Sequence, residues 1–350
     1  MIARLLPLLL LALSIRAGAA PTRVILMIGD GMGVGQLTAT REAHPGLNME
    51  RLRSGGLVFT EAADQRVTDS AAAATALATG VSTNNGVIGL SPAGDTLRTV
   101  LELAAARGMA TGLVVTCRVT HATPASFAAH VLKRDMEDAI AAQLALAPLD
   151  VLFGYGWGQF VPSGEQGSRR HDDMDLRPTL RQRFRSLAFS PAEYTAARWQ
   201  RPALALLAAD HGGPAAEREI SLARMTQDAL ALLSLSDGFF LMVEGSQIDW
   251  SGHGNDFQGV INETLDFDAA VGVALDFAIA DGQTLLVVTA DHETGGLSLP
   301  ESGPGWGATH HTSAAVPLLA WGPGSENFSG LMPNHALGAA LIQAVSASTP

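Results

Sequence analysis

Short apolar runs alternating with helix-spaced segments organise the whole chain. The first, residues 24–28 (VILMI), holds five apolar residues and no charge and stops at Gly29, Asp30 and Gly31. Such a run reads as a strand covered on both faces. Residues 112–116 (GLVVT), 150–154, 203–208, 239–243 (FFLMV) and 284–289 (TLLVVT) repeat the pattern, with a shorter run at 57–62 and a last one after His310 and His311 within 309–324 (THHTSAAVPLLAWGPG). Between them helical spacing begins at 34–42 and recurs at 68–80, 97–107, 124–147, 220–233, 263–279 and 334–347. Doubly buried strands separated by helices predict an α/β fold with an open, mostly parallel sheet. Residues 155–215 interrupt this rhythm with Gly, Ser, Arg and His rich text and read as a surface insertion carrying one or two local helices.

The C-terminal edge of an open α/β sheet is where ligands bind, and that edge collects polar residues here. Asp30, Glu244 and the pair Asp291, His292 each close a run, and His121 and Thr123 follow the 112–116 run. Asp249 and His253 stand four apart, so on a helical turn both face one side and suit one ion. Each residue also has a plainer reading. Asp30 shapes a turn or caps the next helix. Ser70, at the start of the alanine-rich segment closed by Gly80, is a helix cap, although the same position favours an anion. Arg134 lies on a solvated helix face or grips phosphate oxygens. His171 with Asp172 and Asp173 reads as loop charge ahead of a metal cluster.

Composition narrows the classes. With 47% apolar and 16% charged residues among 350, a large core is available. Residues 1–20 join a basic start to an apolar run and AGAA, which predicts a cleaved secretory signal, with an uncleaved anchor as the alternative. Its removal takes away Arg4 and Arg16 and no acid, so the net charge of −12 becomes −14. An acidic surface disfavours nucleic acid and anionic membrane as partners. Cys117 is the single cysteine and reads as a small buried residue. Secretion without disulfides suits a bacterial periplasm or exterior.

Buried acids at one edge repel and neutralise each other unless cations lie among them. Imidazole with carboxylate suits zinc, and carboxylate with hydroxyl suits magnesium. Two ions, a serine at a helix N-terminus and an arginine meet the demands of phosphoryl transfer.

At this point the chain resembles the alkaline phosphatases. IGDGMG, TDSAAAATALATG, HATPA with Arg134 downstream, EGSQIDWSGH, TADHETGG and HHT occur in that order from about Val24 to Ala347. The resemblance implies a three-layer sandwich and a single catalytic domain over residues 21–350. It implies two zinc ions and one magnesium ion: Asp249, His253 and His311 on the first zinc; Asp291, His292 and Asp30 on the second; Asp30, Thr123 and Glu244 on magnesium. His121 stands beside that third site where some relatives carry aspartate, and Trp250 stands where some carry a basic residue. The implied reaction is hydrolysis of small phosphate monoesters through a phosphoserine on Ser70, with Arg134 on the phosphate. Relatives are often homodimers. The competing readings are a phosphodiesterase of the same superfamily and a metal- or phosphate-binding protein without catalysis. A sulfatase is disfavoured because Ser70 lacks a Cys/Ser-x-Pro-x-Arg context.

Overall fold

The structure, a computed structural model, describes residues 20–348. The secretory-signal segment falls almost wholly outside that range. Twelve strands are present among the described residues: β1 (Arg23–Gly29), β2 (Ser54–Phe59), β3 (Ala110–Arg118), β4 (Val151–Tyr155), β5 (Ser186–Ala188), β6 (Ala203–Leu206), β7 (Phe239–Gly245), β8 (Thr284–Thr289), β9 (Glu293–Thr294), β10 (His311–Thr312), β11 (Val316–Trp321) and β12 (Gly330–Pro333). Ten form one sheet in the order β12-β2-β11-β8-β1-β7-β3-β4-β6-β5, while β9 and β10 make a separate antiparallel ribbon. Only β11 runs against its neighbours in the large sheet.

Strand β1 lies at the centre, registered with β7 on one side and β8 on the other. Its residues 24–28 are fully buried, as the uncharged run requires. Helices cover both faces. Ser70–Thr79, Val100–Ala106, Ala122–Ala128 and Asn334–Ala347 pack on one, and Leu222–Leu233 and Phe257–Asp281 on the other. The alanine-rich helix is buried along its whole length because its neighbours approach so closely. A Cβ on Gly338 of the last helix would lie 2.1 Å from Ala76 O.

Three local expectations are corrected. The strand expected at 57–62 begins instead at Ser54 and takes in Gly55 and Gly56, which pair with β11. At Gly56 the missing side chain serves strand contact, because a Cβ there would meet Gly330 O at 2.0 Å. The helix expected over 124–147 is broken, with helices only at Ala122–Ala128 and Glu137–Leu144. Between them Val131 pairs with Ile88, and Arg134 lies on a loop whose N–H donates to Gly86 O at 2.7 Å. The segment 155–215 is more than a surface insertion: besides β6, expected at 203–208, it supplies the edge strand β5 and buries Phe160, Leu180 and Tyr194 beside the sheet. Within it, Asp172 binds Arg170, His171 faces Asp138, and Asp173 accepts from Ser163, so these three side chains turn to separate partners.

Candidate active site

Each central strand ends by delivering an acid to one place. After β1, Asp30 is fully buried and its N–H donates to Gly245 O at the end of β7. Gly31 follows with φ +76, and a Cβ there would fall 2.6 Å from Asp249 Cα, so the turn demands glycine to let the two segments meet. Its N–H donates to Asp291 Oδ1 at 3.1 Å. Glu244 closes β7, and the short helix Ile248–His253 then carries Asp249 and His253 on one face. Beyond β8 come Asp291 and His292. The β9–β10 ribbon pairs His311 with Thr294 and so folds His311 back over His292, ring centroids 3.5 Å apart. His310 is exposed.

Three groups of ligand-type atoms result: Asp249, His253 and His311; Asp30, Asp249 and His292; and Cys117, His121 and Glu244. The imidazole tautomers fit the first of them. His253 Nδ1 contacts Thr309 O at 2.7 Å and His311 Nδ1 contacts Thr68 O at 2.8 Å. A carbonyl only accepts, so both Nδ1 atoms carry the proton and leave Nε2 free as a ligand. Those Nε2 atoms lie 3.4 and 3.5 Å from Asp249 Oδ1. His292 Nε2 faces Asp291 Oδ2 at 3.2 Å, Asp30 Oδ1 at 3.5 Å and Ser70 Oγ at 3.2 Å.

The acids are poorly satisfied by protein alone. Both Asp30 carboxylate oxygens, Asp291 Oδ2, Glu244 Oε1, Thr123 Oγ1 and His121 Nδ1 are buried without a hydrogen-bond partner. Buried groups of this kind need either protons or cations. Without ions, burial pushes Asp291 up to about 6 and Glu244 up to about 7, neighbouring carboxylates adding to both. Asp30 rises too, through burial and then the charges of Asp291, Asp249 and Glu244. Burial also pushes Asp249 up, but His311 and His292 outweigh it and hold this carboxylate well below its usual range. Burial keeps His292 and His121 neutral, as ligation requires, with His311 and Arg134 respectively reinforcing the effect.

These shifts predict how the metal-free fold responds to pH. A carboxyl whose folded pKa is raised binds its proton more tightly when folded, so stability is lost as pH rises from the unfolded value toward the folded one. The chelated protein is expected to lose several degrees of melting temperature between about pH 4 and about pH 7, the value to which Glu244 is raised. Metal-loaded protein is expected to show no such fall, and scanning calorimetry of both forms checks this.

Arg134 completes the cluster. Asp69 caps the alanine-rich helix, its Oδ1 accepting from Ala72 N at 3.0 Å, and its Oδ2 accepts from Arg134 Nη1 at 3.0 Å. Arg134 Nη2 also lies 3.3 Å from His121 Nε2. Asp69 carries no pattern of its own in the sequence beyond standing directly before Ser70, where an arginine beside the serine finds its counter-charge. Thr294 is likewise unmarked by spacing, yet its hydroxyl donates to Asp249 Oδ1 and lies 3.2 Å from His292 Nδ1. Cys117, read as a packing residue, is buried with Sγ 3.4 Å from Glu244 Oε2. Burial, and then the charge of Glu244, holds its thiol well above the ordinary value, so it donates rather than acting as a thiolate.

A mostly parallel sheet whose C-terminal edge gathers imidazoles and acids around a serine in the first turn of a helix defines a metal-type centre of the α/β class. The family profile described as Alkaline phosphatase matches residues 22–303. Alkaline phosphatase 3 of Bacillus subtilis is 38% identical over 302 residues, covering 80% of this chain and 63% of that protein. Streptomycin-6-phosphate phosphatase of Streptomyces griseus is 35% identical over 410 residues, covering 92% and 90%. The solved structure of alkaline phosphatase from the Antarctic bacterium TAB5 superposes with a TM-score of 0.85 at 35% identity, covering 94% of this chain and 99% of that one. A variant of that enzyme with one histidine replaced by glutamate has magnesium bound in its M3 site. The chain belongs to the alkaline phosphatase family.

Proposed function

We propose that this protein hydrolyses phosphate monoesters through a phosphoserine on Ser70, with Asp249, His253 and His311 holding one zinc ion, Asp30, Asp291 and His292 a second, and Asp30, Thr123, Glu244 and His121 serving a magnesium site. The observation that carries this reading is Ser70 Oγ, 3.2 Å from His292 Nε2 at the N-terminus of a ten-residue helix, with Arg134 tied to the adjacent Asp69. The orphaned carboxylate oxygens fit cations of both kinds. When bound, those cations lower the pKa of the serine hydroxyl and take charge from the departing oxygen.

The rest falls to the chain itself. Ser70 Oγ attacks phosphorus in line as its proton passes to water, the bond from phosphorus to the alcohol oxygen breaks, and the alcohol leaves after taking a proton from water. The guanidinium of Arg134, aimed by Asp69, holds two equatorial oxygens, and the free N–H groups of the first helical turn favour the added negative charge. Water then attacks the phosphoserine from the opposite side to the Ser70 oxygen, the bond from phosphorus to Oγ breaks, inorganic phosphate leaves, and a proton from the attacking water restores the serine hydroxyl. Two in-line displacements retain configuration at phosphorus. The reading extends to small monoesters as substrates and to a secreted or periplasmic location directed by residues 1–20. Among the described residues no helix is long and apolar enough to cross a membrane.

Rates on an aryl phosphate monoester and the matching diester test the proposal, with metals removed by chelation and restored singly and together. We expect the monoester to be favoured by about 100-fold or more, no turnover after chelation, and full recovery only with zinc and magnesium together. A diester preference, or undiminished activity after chelation, overturns it.

A further inference from the structure

Three rings close on one another beside Arg134. His211 lies 5.7 Å from His121 and 4.5 Å from Trp250, centroid to centroid, edge-on at 79° in both cases. Trp250 lies 6.2 Å from His121 at 86°. The pairs thus form a closed triangle. His121 belongs to the third ligand group and Trp250 directly follows Asp249 of the first. His211 belongs to none of the groups, yet it touches a ring from each side.

The third-site imidazole has little else to orient it. His121 Nδ1 is buried without a partner, and the side-chain contact of Nε2 is the Arg134 guanidinium, itself committed to Asp69. That one contact leaves the ring free to tilt about the Nε2 axis, and the rings of His211 and Trp250 lie against it.

His211, by contrast, is firmly held. Its Nδ1 accepts the backbone N–H of Arg118 at 3.1 Å. An amide only donates, so Nδ1 carries no proton and the ring orientation is fixed. On one flank Asp210 binds Arg118 at 2.5 Å. On the other, Gly212 O accepts from Gln247 Nε2 at 2.9 Å, and the guanidinium of Arg218, 2% exposed, binds Gly213 O and both Glu263 and Asp266 of the long helix. A buried ion cluster of this kind is a costly way to gain stability. As a means of fixing the loop at 210–213 against the site it has a clear use.

We propose that His211 is a positioning residue that fixes the His121 imidazole at the third cation site through the three-ring contact, so that the affinity of that site depends on a side chain that never reaches the ion. The proposal rests on the third-site reading given above. Its ring edge, rather than its hydrogen bond, does the holding.

The test uses full-length protein with zinc restored, titrated calorimetrically with magnesium chloride, alongside zinc content and melting temperature for each variant. His211→Ala is expected to weaken magnesium binding about tenfold or more with the zinc content unchanged. His211→Phe, which keeps the ring and gives up the acceptor, is expected to recover most of that loss. His211→Asn, which offers an acceptor and no ring, is expected not to. Magnesium affinity equal to the parent in His211→Ala, or recovery by Asn and not by Phe, overturns the proposal while leaving the third site standing. A parent protein that takes up no magnesium overturns the third-site reading and the proposal together. If His211→Ala does not fold, the Phe and Asn variants decide the question by themselves.

Discussion

The Ser70→Ala variant is expected to lose about 10³-fold or more of phosphomonoester turnover while keeping its metals and its melting temperature. The structure separates the two readings that its position allows. Asp69 is the helix cap, its carboxylate accepting from Ala72 N, and Ser70 is the first residue inside the helix. Its hydroxyl therefore contributes nothing to capping. Its side-chain partner is His292 Nε2, at 3.2 Å. Loss of the oxygen removes the atom that would form the ester and leaves the helix, the acids and Arg134 in place. A serine present for local structure alone would show the opposite, a drop in stability with turnover within a few fold. Steady-state kinetics with calorimetry distinguishes these outcomes. Acid quench after incubation with radiolabelled phosphate adds a direct check, since the parent is expected to retain label on protein and the variant none. Unchanged turnover in the variant would rule out Ser70 as nucleophile.

Legibility in the sequence followed the range of the interactions involved. Central strands declared themselves because burial on both faces excludes charge, so 24–28, 239–243 and 284–289 reappear within β1, β7 and β8. The last helix, Asn334–Ala347, is where its spacing placed it. Asp249 and His253 were readable as a pair because four residues of helix is a local geometry. Arg134 was readable as a candidate but not as a loop residue. What breaks the helix there is the pairing of Val131 with Ile88, a contact between distant segments that no local pattern contains. The start of β2 is hidden in the same way, since nothing local shows that Gly330 of the neighbouring strand requires the missing side chain of Gly56.

The same distinction applies to the site. His311 reaches Asp249 because the β9–β10 ribbon returns it to Thr294, and in the sequence it entered through the resemblance alone. The salt bridge of Asp69 to Arg134 spans 65 residues, and the contact of His211 Nδ1 with Arg118 N spans 93. Such partners are invisible to spacing. They matter because residues that touch no reacting atom still fix the ones that do.

Asp30→Asn is expected to change sign with metal, destabilising the loaded protein and stabilising the chelated one. Asparagine keeps the shape and removes the charge. The backbone loses nothing, because the N–H of residue 30 bonds Gly245 O whichever side chain is present. Nor does the next helix lose a cap, since its N-cap is Gly33 and no side chain caps it. In the chelated protein Asp30 is an uncompensated acid, both oxygens unpartnered, pressed upward in pKa by burial and by Asp291, Asp249 and Glu244. At pH 8 the folded chelated parent must either bury that charge or take up a proton that its unfolded chain lacks, a cost the asparagine does not carry, so the variant is expected to melt several degrees higher than the chelated parent. In the loaded protein the same carboxylate is the proposed ligand beside His292, 3.5 Å away, and its charge also bears on Glu244 of the neighbouring strand. Replacing it is expected to weaken the second zinc and the magnesium together, each by about tenfold or more, while the zinc on Asp249, His253 and His311 is retained. Metal analysis after dialysis against fixed free zinc and magnesium reads the first effect, and calorimetry with and without chelator reads the inversion. A residue that merely shapes the turn would shift both melting temperatures in one direction and leave metal content intact. A residue serving one site would release one ion. Only an acid shared between the two sites gives both the joint loss and the change of sign.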